Sequence, residues 1–141
     1  MLGRLRAMLR TAATIGGAAV LAGCPQRTAV WVPSGATTND LLLAFGEERG
    51  RPADVAIGVV EVWRCDASPP GDSATVWRIR TSGIARRIRL VRYGVAPPGF
   101  TVEVRADPIG PGCYLAQVSG TGATRFRVGQ DGRVTDEGRP W

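Results

Sequence analysis

The chain has 141 residues, with 18 basic and 12 acidic side chains and no histidine. That length fits a single domain. The lack of His removes Ser-His-Asp and Cys-His nucleophile pairs, the commonest zinc ligand sets and the usual general base near neutral pH. Every basic residue is Arg, and the acids are interspersed among them, so nothing in the charge pattern resembles a nucleic-acid-binding arm.

In chain order, residues 1–10 carry Arg4, Arg6 and Arg10 and no acid, and residues 11–21 are uncharged and rich in Ala, Gly, Ile and Val. A basic start, an apolar core and small residues make up a secretory signal. The apolar stretch is about a dozen residues, short of the roughly twenty that a spanning helix needs. Gly16 and Gly17 make it a poorer permanent helix still. Residues 1–23 therefore read as a cleaved signal peptide. Its loss leaves the mature chain with only a mild positive excess.

The segment Leu21-Ala22-Gly23-Cys24 closes the signal and closely resembles the lipobox of bacterial lipoproteins. The resemblance implies that Leu21, Ala22 and Gly23 are the recognition residues. Cys24 would be the residue that receives a diacylglyceryl group before cleavage and becomes the acylated amino terminus. Two or more acyl chains, each methylene contributing about 0.8 kcal/mol, hold a protein stably on a bilayer. Pro25 stands where many lipoproteins kept at an inner membrane have Asp. This tilts the expectation towards an outer membrane, facing the periplasm. Residues 24–28 form the lipidated end and a short tether, and 29–141 the domain.

From there the chain reads as short β segments separated by turn clusters. Ala29-Val30-Trp31-Val32 precedes Pro33-Ser34-Gly35, and residues 41–45 precede Gly46. Asn39 or Asp40 could cap a helix through Phe45, but Gly46 would end it after barely two turns, so a strand is expected. Residues 55–64, 75–80, 86–93 and 100–105 follow. Residues 114–118 and 125–128 flank Gly120 and Gly122, and Asp131-Gly132 signals a hairpin before Val134. Phe100, Val102 and Val104 alternate with Thr101, Glu103 and Arg105; Trp77 and Ile79 with Arg78 and Arg80; Phe126 and Val128 with Arg125 and Arg127. Period two with one apolar face marks antiparallel sheets packed on one side. The fold class is all-β, an antiparallel β-sandwich of about eight or nine short strands. Its Tyr and Cys spacing departs from the immunoglobulin pattern, because Tyr114 follows Cys113 instead of preceding it by two.

With Cys24 acylated, Cys65 and Cys113 remain, and an even remainder in an exported domain reads as a disulfide. Closing a loop of about fifty residues, it would stabilise by roughly 4 kcal/mol in the chain-entropy model. The competing reading is two free thiols, although neither has a His partner and there is no Cys-x-x-Cys.

Three groups of residues are candidate sites. Val62-Trp63-Arg64 and Val76-Trp77-Arg78 suggest hairpin partners, and Arg86, Arg87, Arg89 and Arg92 crowd the next strand. If Arg78 and Arg80 adjoin Arg87 and Arg89, four guanidinium groups share one anion-binding patch. The alternative is a solvated face with each charge offset by Glu61 or Glu103. Arg92 falls out of phase, on the face of Ile88 and Leu90, as a bulge or strand end would cause. Gly120-Thr121-Gly122-Ala123-Thr124-Arg125 resembles a phosphate loop, but a strand rather than a helix follows, so it reads as a hairpin turn. The acids Glu47, Glu48 and Asp54, and Asp131, Asp136 and Glu137, read as exposed turn residues, without calcium-loop spacing.

The expected role is a non-catalytic interaction or structural module at the cell envelope, with no cofactor and no metal. Its partners would be the membrane, through lipid, and another envelope protein or a glycan, with no nucleic acid. The first alternative is a binder of lipopolysaccharide or acidic glycan through Arg78, Arg80, Arg87 and Arg89. The second is an envelope hydrolase that relies on carboxylates.

Overall fold

The computed structural model describes residues 27–66, 74–119 and 122–139. The expected signal peptide over residues 1–23, Cys24 and the centre of the 119–122 turn lie outside the described residues. All regular elements among the described residues are strands: β1 (Ala29–Trp31), β2 (Leu42–Gly46), β3 (Val55–Ile57), β4 (Val59–Arg64), β5 (Thr75–Thr81), β6 (Arg86–Ile88), β7 (Leu90–Arg92), β8 (Phe100–Val104), β9 (Gly112–Val118), β10 (Gly122–Val128) and β11 (Val134–Gly138). Every pairing is antiparallel. The fold is an all-β sandwich, as the alternation predicts, and the segment expected as a strand over residues 41–45 is β2, shifted by one residue to Leu42–Gly46.

One layer is a six-stranded sheet in the order β11-β10-β9-β4-β5-β8; facing it are a three-stranded sheet, β1-β2-β7, and a two-stranded ribbon, β3-β6. Two of the nine expected strands are broken, which accounts for eleven. Residues 55–64 part at Gly58, whose N–H donates to the Ser119 hydroxyl at 2.8 Å while its carbonyl accepts from the Thr81 N–H at 2.9 Å. Residues 86–93 part at Arg89. The β3-β6 ribbon therefore continues the β4-β5 hairpin and turns over the end of the sandwich. Its second strand then runs on into β7 beside β2. Such corners are how a strand changes sheets.

The break at Arg89 also resolves the phase of Arg92. Ile88 is half-buried, Leu90 is 43% exposed and Val91 is buried, so the inward face shifts by one residue between β6 and β7. Leu90 thus does not share the face of Ile88 as expected from unbroken alternation. In β8 a register shift opposite Arg78 and Ile79 has a similar effect: Val102 pairs with Ile79, but Val104 pairs with Arg78. Phe100 is buried, whereas Val102 stands 51% exposed at the sheet edge.

The core fills the layer between the sheets. From the six-stranded side come Val60, Val62, Trp77, Ile79, Tyr114, Ala116, Val118, Phe126 and Val128, and from the other side Val30, Leu43, Phe45, Ile57 and Val91. Tyr114 stacks on Phe126 at 5.4 Å, and Trp77 meets the edge of Tyr93 at 5.2 Å. Each such aromatic pair adds about 1 kcal/mol beyond area burial. The Tyr114 hydroxyl donates to the Gly110 carbonyl at 2.9 Å, pinning the entry to β9. Tight packing explains Gly122: the Thr28 carbonyl occupies the place a Cβ would take, so β10 can start there only without a side chain.

Cys65 and Cys113 are bonded, with Cα atoms 5.5 Å apart. They lie directly opposite one another where the β4-β9 ladder continues, and the Cys65 N–H donates to the Cys113 carbonyl at 3.2 Å. The bond joins neighbours within one sheet, unlike the inter-sheet bridge of immunoglobulin domains. Closing a 48-residue separation, it limits the unfolded chain by roughly 4 kcal/mol. Cys65→Ala should lower the unfolding free energy by about that much or somewhat less, read from denaturant melts. In the parent protein, alkylation in non-reducing denaturant should leave both cysteines unlabelled.

Tyr93 provides a pH-dependent contribution. Its hydroxyl lies 2.6 Å from the Asp107 carbonyl and 3.1 Å from the Val76 carbonyl. Burial, reinforced by the charge of Asp107, pushes the phenol well above its ordinary value. The folded state then holds this proton longer than the unfolded chain does. The contribution is complete below about pH 10 and is lost as the pH rises further. The chain has no Lys to titrate in that range. Thermal melts should hold steady from neutral pH to about pH 9 and fall beyond about pH 10, with a shallower fall in Tyr93→Phe.

Candidate interaction site

The most connected polar cluster lies where the open edge of the six-stranded sheet meets β1. The sequence Val134-Thr135-Asp136 places Val134 and Asp136 on one face. The register confirms it, pairing Val134 with Val128 and Asp136 with Phe126, both inward residues. Asp136 therefore points into the layer between the sheets and is only 14% exposed. Its carboxylate accepts from Arg49 Nη1 at 2.9 Å, from the Gly138 N–H at 2.7 Å, and from the Val32 N–H of the other layer. Arg49, from the β2-β3 loop, also donates through Nη2 to the Val30 carbonyl and to Thr124 Oγ1, each at 3.0 Å. Thr124 is fully buried, and its hydroxyl lies within 3.2 Å of both Asp136 oxygens and of the Gly138 carbonyl. The inward, part-buried Asp136 corrects the expectation of an exposed turn residue. Its inward phase with Val134 was the signal that could have shown it.

Beside this cluster runs an open groove of about 640 Å³, walled by Trp31, Pro33 and Pro52, with Ser34, Arg49 and Asp136 at its polar side. Asp136 already accepts several hydrogen bonds, and Arg49 is spread over three acceptors. The groove therefore offers rigid apolar walls and a polar rim, suited to recognition by shape rather than to proton transfer.

The four-arginine patch, conditional on Arg78 and Arg80 adjoining Arg87 and Arg89, does not assemble. β5, carrying Arg78 and Arg80, lies between β4 and β8, whereas Arg87 is in β6 and Arg89 just beyond it, on the ribbon and the facing sheet. The chain turns the corner after Thr81, so strands consecutive in sequence are not neighbours here. Arg78 Nη2 meets Glu61 at 2.6 Å, and Arg80 Nε meets Glu103 at 2.7 Å, the local offset weighed above. Arg87 donates to the Asp54 carbonyl at 2.6 Å. Arg89 grips the Asp54 carboxylate with two bonds of 2.9 and 3.1 Å. That hydrogen bond holds Asp54 below its ordinary carboxylate value and raises Arg89.

The remaining candidates are placed as follows. Arg92 pairs with Asp40 at 2.7 Å, Arg127 with Glu137 at 2.9 Å, Arg51 with Glu48 at 3.5 Å and Arg133 with Asp131 at 3.6 Å. Glu47 lines a hollow of about 160 Å³ together with Arg27, Thr28, Asp54 and Arg87. The Gly-rich segment leads straight into β10, so no helix terminus meets it. Among the described residues no three His, Cys, Asp or Glu side chains gather as a metal site would require.

Comparison with known proteins finds no matching family model, no matching curated protein and no matching solved structure.

Buried polar groups are costly to leave unpaired. Asp136→Ala, which removes the acceptor of the Val32 N–H and of the buried Thr124 hydroxyl while the part-exposed Arg49 stays hydrated, should cost about 3 kcal/mol. The melting temperature should fall by about 10 °C. Calorimetry of the variant checks this, and Glu48→Ala, at an exposed pair, should fall within about 0.5 kcal/mol of the parent.

Proposed function

We propose that this chain is a cell-envelope lipoprotein whose disulfide-bonded β-sandwich is a non-catalytic interaction module, fixed to a membrane through acylated Cys24. The observation that carries the reading is Leu21-Ala22-Gly23-Cys24 behind a basic and then apolar segment. β1 starts only five residues later, at Ala29. The tether is thus too short to let the domain range far from the bilayer.

The distribution of acids supports the non-catalytic part. Glycosidase-type chemistry needs two carboxylates facing one cleft, one as acid and one as base or nucleophile. Here Asp40, Glu48, Asp54, Glu61, Glu103, Asp131, Asp136 and Glu137 each meet an arginine. The open groove edged by Pro33 and Pro52, with the Ser34, Arg49 and Asp136 rim beside it, is the natural place for an envelope protein or glycan, because proline walls are rigid and a polar rim can fix orientation. Orientation facing the periplasm from an outer membrane, as Pro25 suggests, is part of the proposal.

Cys24→Ser tests it. The variant should accumulate as an unprocessed precursor, while mass spectrometry of the parent should find a diacylglyceryl group on an amino-terminal Cys24. An unmodified Cys24, or a mature end elsewhere, would refute the reading.

A further inference from the structure

Resting on the lipoprotein reading, we propose that the end of the sandwich nearest Cys24 docks onto an anionic bilayer. Ile84 would enter the headgroup region, and Arg27, Arg86 and Arg87 would bind its phosphates.

The placement follows from a chain of contacts across one end of the molecule. The Thr28 carbonyl sits against Gly122, at the start of β10. Across the 119–122 turn, Ser119 Oγ accepts from the Gly58 N–H, and the Gly58 carbonyl accepts from the Thr81 N–H. The loop carrying Ile84 leaves the sheet directly after Thr81. The start of β10 and the end of β5 are three strand spacings apart, about 14 Å. Arg27 lies three positions after Cys24, so a fully extended chain allows at most about 10 Å between them. An acylated Cys24 would lie at headgroup depth, and this end is therefore the one that can reach the bilayer.

The chemistry at this end suits an anionic surface. Ile84 is 85% exposed, the most exposed of the large apolar side chains among the described residues, and is flanked by exposed Ser82, Gly83 and Ala85. Small neighbours leave it free to enter an apolar boundary. Arg86 and Arg87 follow at once, both exposed, and Arg86 lies over Gly99 of the Pro97-Pro98-Gly99 turn. Arg27 and Arg87 share the hollow that also holds Glu47 and Asp54. Asp54 is already gripped by Arg89, so Arg27, Arg86 and Arg87 stand against Glu47 and the positive sign prevails. Guanidinium groups bind phosphate bidentately. Each one near an anionic bilayer favours the docked state about fivefold.

Hydroxyl-radical footprinting of the native, processed protein in vesicles provides the test, because an exposed Ile is oxidised and a covered one is not. In vesicles of phosphatidylglycerol and phosphatidylethanolamine, oxidation of Ile84 should fall severalfold relative to detergent micelles. Val95, 53% exposed beside Arg92 at the far end, should be unchanged. Replacing Arg86 and Arg87 by Gln should lower the docked fraction's equilibrium constant about fivefold per charge, with unchanged Val95 reactivity reporting an intact fold. Equal oxidation of Ile84 in vesicles and micelles would overturn the proposal. Intact mass separates this from the lipoprotein reading. An acylated chain with an unprotected Ile84 refutes docking alone. An unacylated chain whose Ile84 is still protected refutes the anchor alone.

Discussion

The carboxylate of Asp136 joins parts of the chain that no strand ladder connects. Through it β11 reaches the Val32 N–H after β1, the Arg49 guanidinium of the β2-β3 loop and the buried hydroxyl of Thr124. A sandwich held by apolar contact alone can slide, because burial is non-directional. Hydrogen bonds to a mostly buried charge are directional and costly to leave unmade. Asp136 therefore sets where the two layers stop relative to each other along their open edge. At the end of the sandwich the covalent chain does the same task, since the β3-β6 ribbon passes from one sheet to the other. The hydrophobic core fills the space that these two closures define.

Much of this was legible in the residues. Alternation gave the strands and their inward faces wherever the ladder is regular, as at Trp77 and Ile79 or Phe126 and Val128. It failed where one residue shifts the phase. Arg92 announced such a shift by falling on an apolar face, but it could not say that the break lies at Arg89 or that Leu90 would be turned outward. Gly58 gave less warning, because Val55 to Arg64 reads as one apolar run, and the break depends on the Ser119 hydroxyl, distant in sequence. Pairing across layers is the information that local pattern lacks. For that reason local pattern alone cannot decide which strand lies beside Arg78 and Arg80, and composition alone makes Asp136 a turn acid although its phase with Val134 points inward.

The arginine content takes on a different meaning in the folded chain. On the outer face of the six-stranded sheet the guanidinium groups are matched across strands, Arg78 with Glu61, Arg80 with Glu103 and Arg127 with Glu137. Exposed pairs of this kind contribute little to stability, about 0–1 kcal/mol each. Their larger effect is on the surface field, because each match removes a local source of potential. The broad face of the domain is thereby close to neutral despite its many charges, and Leu115 stays buried there among the longer side chains of its cross-strand neighbours Arg125 and Trp63.

Charge matched in one place concentrates the remaining excess elsewhere. Most of the acids meet arginines along the sheet face, in the loop pairs and in the Asp136 cluster, whereas Arg86, Arg87 and Arg27 gather where the chain enters the fold, with Glu47 beside them. Such an arrangement gives the domain a polarity along its strands. One end is closed by the Cys65–Cys113 bond and the Tyr93 and Tyr114 hydroxyl contacts, and the other carries positive charge around a projecting Ile84. A uniformly basic surface would attract anions from every side and fix no orientation. A neutral face with one basic end does fix it, and the chain enters the fold at that same end, where the Thr28 carbonyl meets Gly122. The groove beside Trp31 opens along the side of the sandwich, at the β1 and β11 edges, so an end-on orientation leaves it accessible to a partner.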